Sequence, residues 1–367
     1  LVHSDLLLVI VVVTALSFDF TNGFHDTANA VAATISTRAL SPRTAIALSS
    51  ILNFVGAFVS LKVAATVATG IVDAGQVTET IAFAGLIGAI AWNLMTWGWG
   101  LPSSSSHALI GGVIGAMLAA VGGSGVKGSA VLTKVIVPAV VAPAVAFLFA
   151  GVAIILIYRL VGRRRPGAVT RGFRLGQIAS SSLLSIAHGT NDAQKTMGVI
   201  TLALVAHGSL SAHHTHVPAW VIISAACAIS VGTYAAGWRI IRTVGMRIIK
   251  MDGAQGLAAQ GAGAIVILAS SHFGYPLSST HVVSGGVIGA GAAKRVSAVR
   301  WGVAGSIVAA WVVTLPAAGM LGALAYWLAS AFGSGVAGPV VISVVALGAL
   351  AMTFAGRRRR LAEAASA

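Results

Sequence analysis

Acidic side chains are scarce in this sequence. Only 8 of its 367 residues are Asp or Glu, against 23 Lys or Arg, and all charged residues together make up 8%. A soluble domain carries about 25% charged residues, so a water-facing surface over the whole chain is excluded. A single cysteine, Cys227, excludes an intramolecular disulfide. What is abundant is apolar. Hydrophobic residues reach 57% and mean hydropathy is +0.93. Runs of about 18 or more residues with little or no charge mark an all-α polytopic membrane protein. The first run continues straight into a polar motif at Asp26, so it does not have the pattern of a cleavable signal. The chain begins at Leu1, which implies an unusual start codon or a trimmed N-terminus. A net charge of +15 would point to nucleic acid in a soluble protein. Here the basic residues read as loop anchors, and no nucleic-acid partner is expected.

The apolar segments run 5–21, 24–37, 44–66, 80–100, 103–121 and 131–158, then 175–188, 190–206, 218–241, 254–272, 278–293, 301–328 and 338–355. Lys and Arg collect at 38–43, 159–174, 239–250, 294–300 and Arg357 to Arg360, places that hold 19 of the 23. The positive-inside rule puts all five in the cytoplasm. Loop 67–79, with Asp73 and Glu79, and the His-rich loop 207–217 then fall outside. The expected organisation is a first repeat over 1–158, a cytoplasmic basic linker over 159–174 and a second, inverted repeat over 175–330. An extra C-terminal transmembrane helix over 331–356 and a basic cytoplasmic tail over 357–367 follow. The setting is the inner (plasma) membrane, with the N-terminus outside and the C-terminus in the cytoplasm. Segments 5–37 and 175–206 are each longer than one span needs, yet parity allows each one crossing. Each is expected to be a crossing broken near Gly23 or Gly189.

Inside those two segments lie matching polar motifs. Asn22-Gly23-Phe24-His25-Asp26-Thr27-Ala28-Asn29 is echoed by Gly189-Thr190-Asn191-Asp192-Ala193-Gln194-Lys195. Helical spacing puts Asn22, Asp26 and Asn29 on one face, and likewise His188, Asp192 and Lys195. A carboxylate this deep in an apolar run costs roughly 2.5–3.5 kcal/mol or more. Two in matched settings read as a site. Because one half begins outside and the other inside, the two motifs enter the membrane from opposite sides, which is an inverted-topology repeat.

A second pair is closer still. Pro102-Ser103-Ser104-Ser105-Ser106-His107-Ala108-Leu109-Ile110-Gly111-Gly112-Val113-Ile114-Gly115 matches Pro276 to Gly289 at nine of fourteen positions. Proline followed by hydroxyl residues signals a helix start. A helix N-terminus rich in hydroxyls suits an anion, because dipole and donors point the same way. Half-helices of this kind serve transporters near the bilayer midplane. Ser104, Ser105, Ser106, Ser278, Ser279 and Thr280 are therefore the candidate anion ligands. Gly111, Gly115, Gly285 and Gly289 read as packing glycines. His107 and His281 are candidates as ligands, as proton carriers or as satisfied structural histidines.

These motifs together resemble the inorganic phosphate transporter (Pit) family, in its bacterial low-affinity branch, and the resemblance covers nearly the whole chain. It implies an all-helical inverted-repeat fold with broken helices and helical hairpins, in a dimer that carries phosphate with a coupling cation. The family's signature Asp maps onto Asp26 and Asp192, and its hydroxyl clusters onto Ser104 to Ser106 and Ser278 to Thr280. The sodium-coupled pattern is Gly-x-Asn-Asp-x-x-Asn in both halves. Here His25 replaces the first Asn and Lys195 the last Asn of the second copy. A carboxamide oxygen ligates a cation and an ammonium does not, so Lys195 is expected to act as a tethered cation and protons to drive uptake. The bacterial resemblance also raises phosphate carried as a neutral complex with a divalent metal, and sulfate is the alternative cargo.

Charge balance supports coupling. Phosphate carries about −1.5 to −2 charges at neutral pH, by analogy with its esters, and two buried carboxylates repel it. Positive charge must enter with it, as a proton, sodium or a divalent metal. Asp26, Asn29, Asp192, Asn191, Lys195, His25 and Asn22 are the expected charge-balance residues, with His107, His281 and Asp19 as candidate proton sites. No resident cofactor or metal centre is expected. Asp19 is equally readable as a partner for a neighbouring helix. Lys62 reads as a snorkelling side chain, and Trp92, Trp97 and Trp99 as interfacial or packing residues. His207, His213, His214 and His216 are candidates for gathering metal, or simply a solvated loop. Gly122-Gly123-Ser124-Gly125 matches the Gly-x-Ser-Gly of intramembrane serine proteases, but no repeated His accompanies it, so an enzyme is not expected. A receptor or scaffold without flux is the third class, set apart by an uptake assay.

Overall fold

The computed structural model describes residues 2–161, 166–211, 216–333 and 335–349, and among them the chain is helical with no strand. The helices are α1 (Val2–Ser36), α2 (Pro42–Gly56), α3 (Lys62–Thr69), α4 (Glu79–Trp99), α5 (Ser105–Val121), α6 (Gly128–Val131) and α7 (Val137–Val161). They continue with α8 (Pro166–Ala206), α9 (Ala219–Ala235), α10 (Trp238–Arg242), α11 (Gly253–His272), α12 (Ser279–Lys294), α13 (Trp301–Ser330) and α14 (Ala337–Ala349). Six are long and apolar enough to cross a membrane, or seven if α9 and α10, bent by 61°, form one span. The tail Arg357 to Arg360 lies outside the described residues.

Local chemistry sets the helix ends. Ser41 caps α2 just before Pro42, and Thr78 caps α4 by accepting from the Ile81 N–H at 3.3 Å. Asp252 and Gln255 form a reciprocal capping box at α11. Gly100 (φ 69°) ends α4 in the left-handed conformation, and Gly274 (φ 77°) turns the chain after α11. Each of these turns leads into a serine-capped helix, α5 or α12, so α4–α5 and α11–α12 are two matched hairpins.

Two buried apolar clusters flank a polar centre. Along α1, Leu7 to Phe18 join the first cluster and Ala28 to Ala33 the second, with Asp19 to Thr27 between. Along α8 the order reverses: Leu184 and Ala187 join the second cluster, Ala193 to Leu204 the first. Hairpin α4–α5 belongs to the first cluster and hairpin α11–α12 to the second. Helices α1 and α8 thus run in opposite senses through the same two layers, and both polar motifs fall at the seam.

One expectation is corrected. Neither α1 nor α8 is broken: each runs through its glycine as continuous helix. The glycines are there for close approach. A Cβ on Gly23 would collide with the Ile229 carbonyl of α9, and one on Gly232 with the Phe20 carbonyl of α1. The equivalent crossing of α8 and α2 uses Gly189 against Asn53 and Gly56 against Ile186. The breaks fall one segment later, between α2 and α3 and between α9 and α10, where Ala236 takes φ 50°. Helix α8 also starts inside the expected basic linker, with Pro166 as its first residue and Arg171 and Arg174 exposed. Gly111, Gly115, Gly285 and Gly289 pack as expected, against backbone carbonyls of Leu315, Gly319, Pro143 and Phe147.

Candidate functional site

The two hairpin tips meet each other at the seam. Ser106 Oγ, at the start of α5, donates to the Leu277 carbonyl of the second tip at 3.0 Å. The His107 and His281 rings, one turn into each helix, lie 4.7 Å apart edge to face. Between the tips and the seam of α1 and α8, every polar motif side chain is 4% exposed or less.

Asp192 is the most heavily bonded member. One oxygen is paired with Lys195 Nζ; the other accepts from Ser279 Oγ at 2.9 Å and faces His188 Nε2 at 2.7 Å. Lys195 Nζ also donates to Ser106 Oγ and, at 2.7 Å, to the Leu277 carbonyl. One ammonium therefore joins α8 to both tips. Asp26 accepts from Thr280 Oγ1 at 3.2 Å and pairs with His25 Nδ1 at 2.8 Å. Asn29 donates to Thr280 Oγ1 at 3.0 Å and Ser279 Oγ at 3.3 Å. Of these two faces, Asp26 and Asn29 address the second tip, and Asp192 and Lys195 together address both.

One oxygen or nitrogen from each of Asp26, His188 and Asp192 falls within 4.8 Å of the others. His188 was not among the expected charge-balance residues, although it shares their helix face. Its protonation follows from its neighbours. Thr233 Oγ1 donates to Ile229 O, so it accepts from Asn53 Nδ2 at 2.8 Å, which turns Asn53 Oδ1 toward His188 Nδ1 at 3.2 Å. Nδ1 therefore donates to Asn53, while Nε2 stands 2.7 Å from Asp192 without a hydrogen bond among the described residues. The centre therefore carries a built-in ammonium and a histidine beside two carboxylates.

The remaining expected residues take up different places. Ser104 and Ser278 are helix caps, their oxygens accepting from the His107 and His281 N–H groups at 3.1 and 3.3 Å. Ser105 Oγ is buried without a partner among the described residues. Asn191 ties α8 to the second hairpin through Ser271 Oγ (2.9 Å) and Tyr275 O (3.3 Å). His25 Nε2 lies near Thr96 (3.3 Å) and Ser103 (3.4 Å), two contacts the sequence did not single out. Both carboxylate oxygens of Asp19, and Oδ1 of Asn22, are buried and unpartnered among the described residues. His281 stacks on Trp311 at 4.1 Å. His107 and His281 share neither hydrogen bond nor ion pair with Asp26 or Asp192. Ser124 sits exposed in a tight turn and donates to the Val121 carbonyl. His213 and His214 lie outside the described residues, and His207 pairs with Asp5 at 3.3 Å.

The sequence profile of the phosphate transporter family matches this chain over residues 22–169 and 162–322. The chain belongs to the phosphate transporter family. A relative from Mycobacterium tuberculosis (strain ATCC 25618 / H37Rv), named a probable low-affinity inorganic phosphate transporter, is 55% identical over 322 residues, 88% of this chain and 77% of its own. A Bacillus subtilis (strain 168) relative of the same name is 41% identical over 325 residues, 88% and 97% respectively. The fold matches a solved structure titled the sodium-dependent phosphate transporter, with TM-score 0.81, 25% identity, and coverage of 88% of this chain and 98% of that one. This member of the phosphate transporter family is a multi-pass membrane protein, and the relatives it matches are named as transporters, not enzymes.

Proposed function

We propose that this chain imports inorganic phosphate by cation symport, with protons as the coupling ion. The observation that carries the reading is Lys195, whose ammonium is held by three oxygens from Asp192, Ser106 and Leu277. An ammonium so placed fills the volume and supplies the charge of a bound monovalent cation. A sodium ion there would meet a like charge. The relatives' names support phosphate as the cargo. Phosphate oxygens would accept from Ser105, Ser279, Thr280 and Lys195, and an entering proton would be carried by Asp26, Asp19 or the His188–Asp192 pair. His107 and His281 are second-choice proton sites, because their rings meet each other and Trp311 rather than a carboxylate.

The buried centre corresponds to a closed state. Access from either side requires one hairpin tip to leave the other, breaking the bonds to Leu277 O. We place the protein in the inner (plasma) membrane, N-terminus outside and C-terminus in the cytoplasm, on the charge of its loops, and as a homodimer on the family resemblance alone. Radiolabelled phosphate uptake into proteoliposomes, with imposed pH or sodium gradients, tests the reading. Uptake should rise with an inward proton gradient and ignore sodium. A strict sodium requirement sinks the Lys195 argument, and preference for sulfate in competition sinks the choice of cargo. Uptake that requires a divalent metal selects the metal–phosphate complex as the transported species.

A further inference from the structure

A cavity of about 440 Å³ opens beside the first hairpin tip, walled by Trp99, Gly100, Trp238, Arg239, Arg242 and Arg247. Three guanidinium groups converge on one space. Arg239 and Arg242 share a helix face at a spacing of three, and the π-helical turn Thr243–Arg247 brings Arg247 round to the same side. None has an acidic partner: the ion pairs among the described residues belong to His25, His188, Lys195, His207 and Lys294. Like charges collected without a counter-charge favour an anion, and a guanidinium fork matches the oxygens of a phosphate group. The indoles of Trp99 and Trp238, 59% and 45% exposed, flank the space.

The cavity also borders the first hairpin. Arg239 donates to the Gly98 carbonyl at 2.6 Å and stands over the Trp97 ring, and Thr243 donates to the Gly100 carbonyl at 2.9 Å. The arginine segment climbs along α1: a Cβ on Gly237 would meet Phe24, and one on Gly245 would meet Ala32. At 1.5 Å per residue those levels are roughly 12 Å apart. The deep end of the ladder therefore lies beside His25 and the tip that presents Ser103 to Ser106.

We propose that Arg239, Arg242 and Arg247 form a second binding site for a phosphate group, separate from the seam. Its occupant is either inorganic phosphate or the headgroup of an anionic phospholipid. The site stands whether or not the coupling reading above is right. The test uses the full chain in neutral detergent, comparing wild type with the double variant Arg242→Gln/Arg247→Gln, which spares Arg239 and its bond to the tip. In one arm, equilibrium dialysis with radiolabelled inorganic phosphate should find a salt-sensitive class of binding that the double variant weakens about tenfold or more. In the other arm, native mass spectrometry after exposure to phosphatidylglycerol or phosphatidylcholine should find the anionic lipid retained by wild type and lost by the variant. A difference in the first arm assigns free phosphate, and one in the second assigns the headgroup. Wild type and variant alike in both arms overturn the proposal. Asp192→Asn, read alongside, should remove binding at the seam and leave this class unchanged, so the two failures separate. If the double variant does not fold, the exposed single change Arg247→Gln replaces it in the same two arms, and equality with wild type in both again overturns the proposal.

Discussion

Replacing Lys195 by Asn restores the side chain found at the matching place of the first motif, Asn29. It also removes the ammonium from Asp192, Ser106 and Leu277 O. Deleting one partner of a buried ion pair costs about 3–5 kcal/mol, because the other charge is left behind. Oxygens of Asp26 and Asp192 then lie within 4.8 Å of each other, where two like charges repel by about 3.5 kcal/mol or more at an effective dielectric constant of 20. Both figures say that the variant needs a cation from solution. A sodium ion present at a hundred times its dissociation constant returns about 2.7 kcal/mol, more than half of the lower figure. The assay is thermal unfolding of purified protein in sodium chloride against choline chloride. Wild type should unfold at the same temperature in both. Lys195→Asn should unfold earlier in choline, recover in sodium, and take up phosphate only when sodium is present. A variant as stable as wild type without sodium refutes the tethered-cation argument, as does a wild type that sodium stabilises strongly.

Asp26→Asn and Asp192→Asn should each abolish concentrative phosphate uptake while protein remains in the membrane, and surviving uptake in either removes that residue from the mechanism. Ser279→Ala loses the bond to Asp192 and should raise the KM for phosphate several-fold with little change in unfolding temperature. Gly23→Ala and Gly189→Ala drive a methyl group into the carbonyls of Ile229 and Asn53. Each should destabilise by about 1–3 kcal/mol or more, whereas Gly302→Ala, with nothing within 4 Å of the added methyl, should be neutral in the same melt. Burial pushes the Asp252 carboxyl up, but hydrogen bonds from Lys294 and the Gln255 N–H bring it below its ordinary value. Its contribution is therefore present at neutral pH and lost as pH falls through the lowered value. Asp252→Asn should flatten that acid limb of the stability curve.

The candidate site was legible as a cluster because its chemistry is written in side chains and written twice. Asp26 and Asp192, and Ser105 and Ser279, stand out as polar residues in apolar surroundings with an echo half a chain away. What could not be read was the use of glycine. Gly23 and Gly189 looked like breaks, yet each is matched by a glycine on the crossing helix, Gly232 or Gly56, that no local pattern links to it. The real break after Gly56 lies inside an unbroken apolar run, and only the packing of α2 on α8 fixes it. The basic residues of 159–174 read as a loop because charge leaves the membrane there, but a helix can outlast the bilayer, as α8 does. Leu277 contributes a backbone carbonyl, which has no signature in sequence. His188 was readable as a member of the right face, and its role waited on Asn53, 135 positions away along the chain.

That carbonyl links the charge argument to the motion. Leu277 O accepts from both Lys195 and Ser106, so the second tip is latched to α8 and to the first tip through one oxygen. Moving the tip away leaves the buried ammonium with Asp192 and Ser106 but without its third oxygen. Within a low-dielectric site that loss is uphill, unless another oxygen replaces it. Phosphate can supply that oxygen while its own charge is met by the same ammonium and by an added proton. An unloaded carrier would stay latched and a loaded one would be free to open, which is the condition for transport without a leak. A backbone change at Leu277 cannot be made by ordinary substitution, but Ser106→Ala removes one of the two latch bonds, together with one of the ammonium's three oxygens, and keeps Lys195 paired with Asp192 and Leu277 O. It should speed exchange of phosphate across the membrane and loosen its dependence on the proton gradient. An exchange rate and gradient dependence equal to wild type would show that the latch does not control opening.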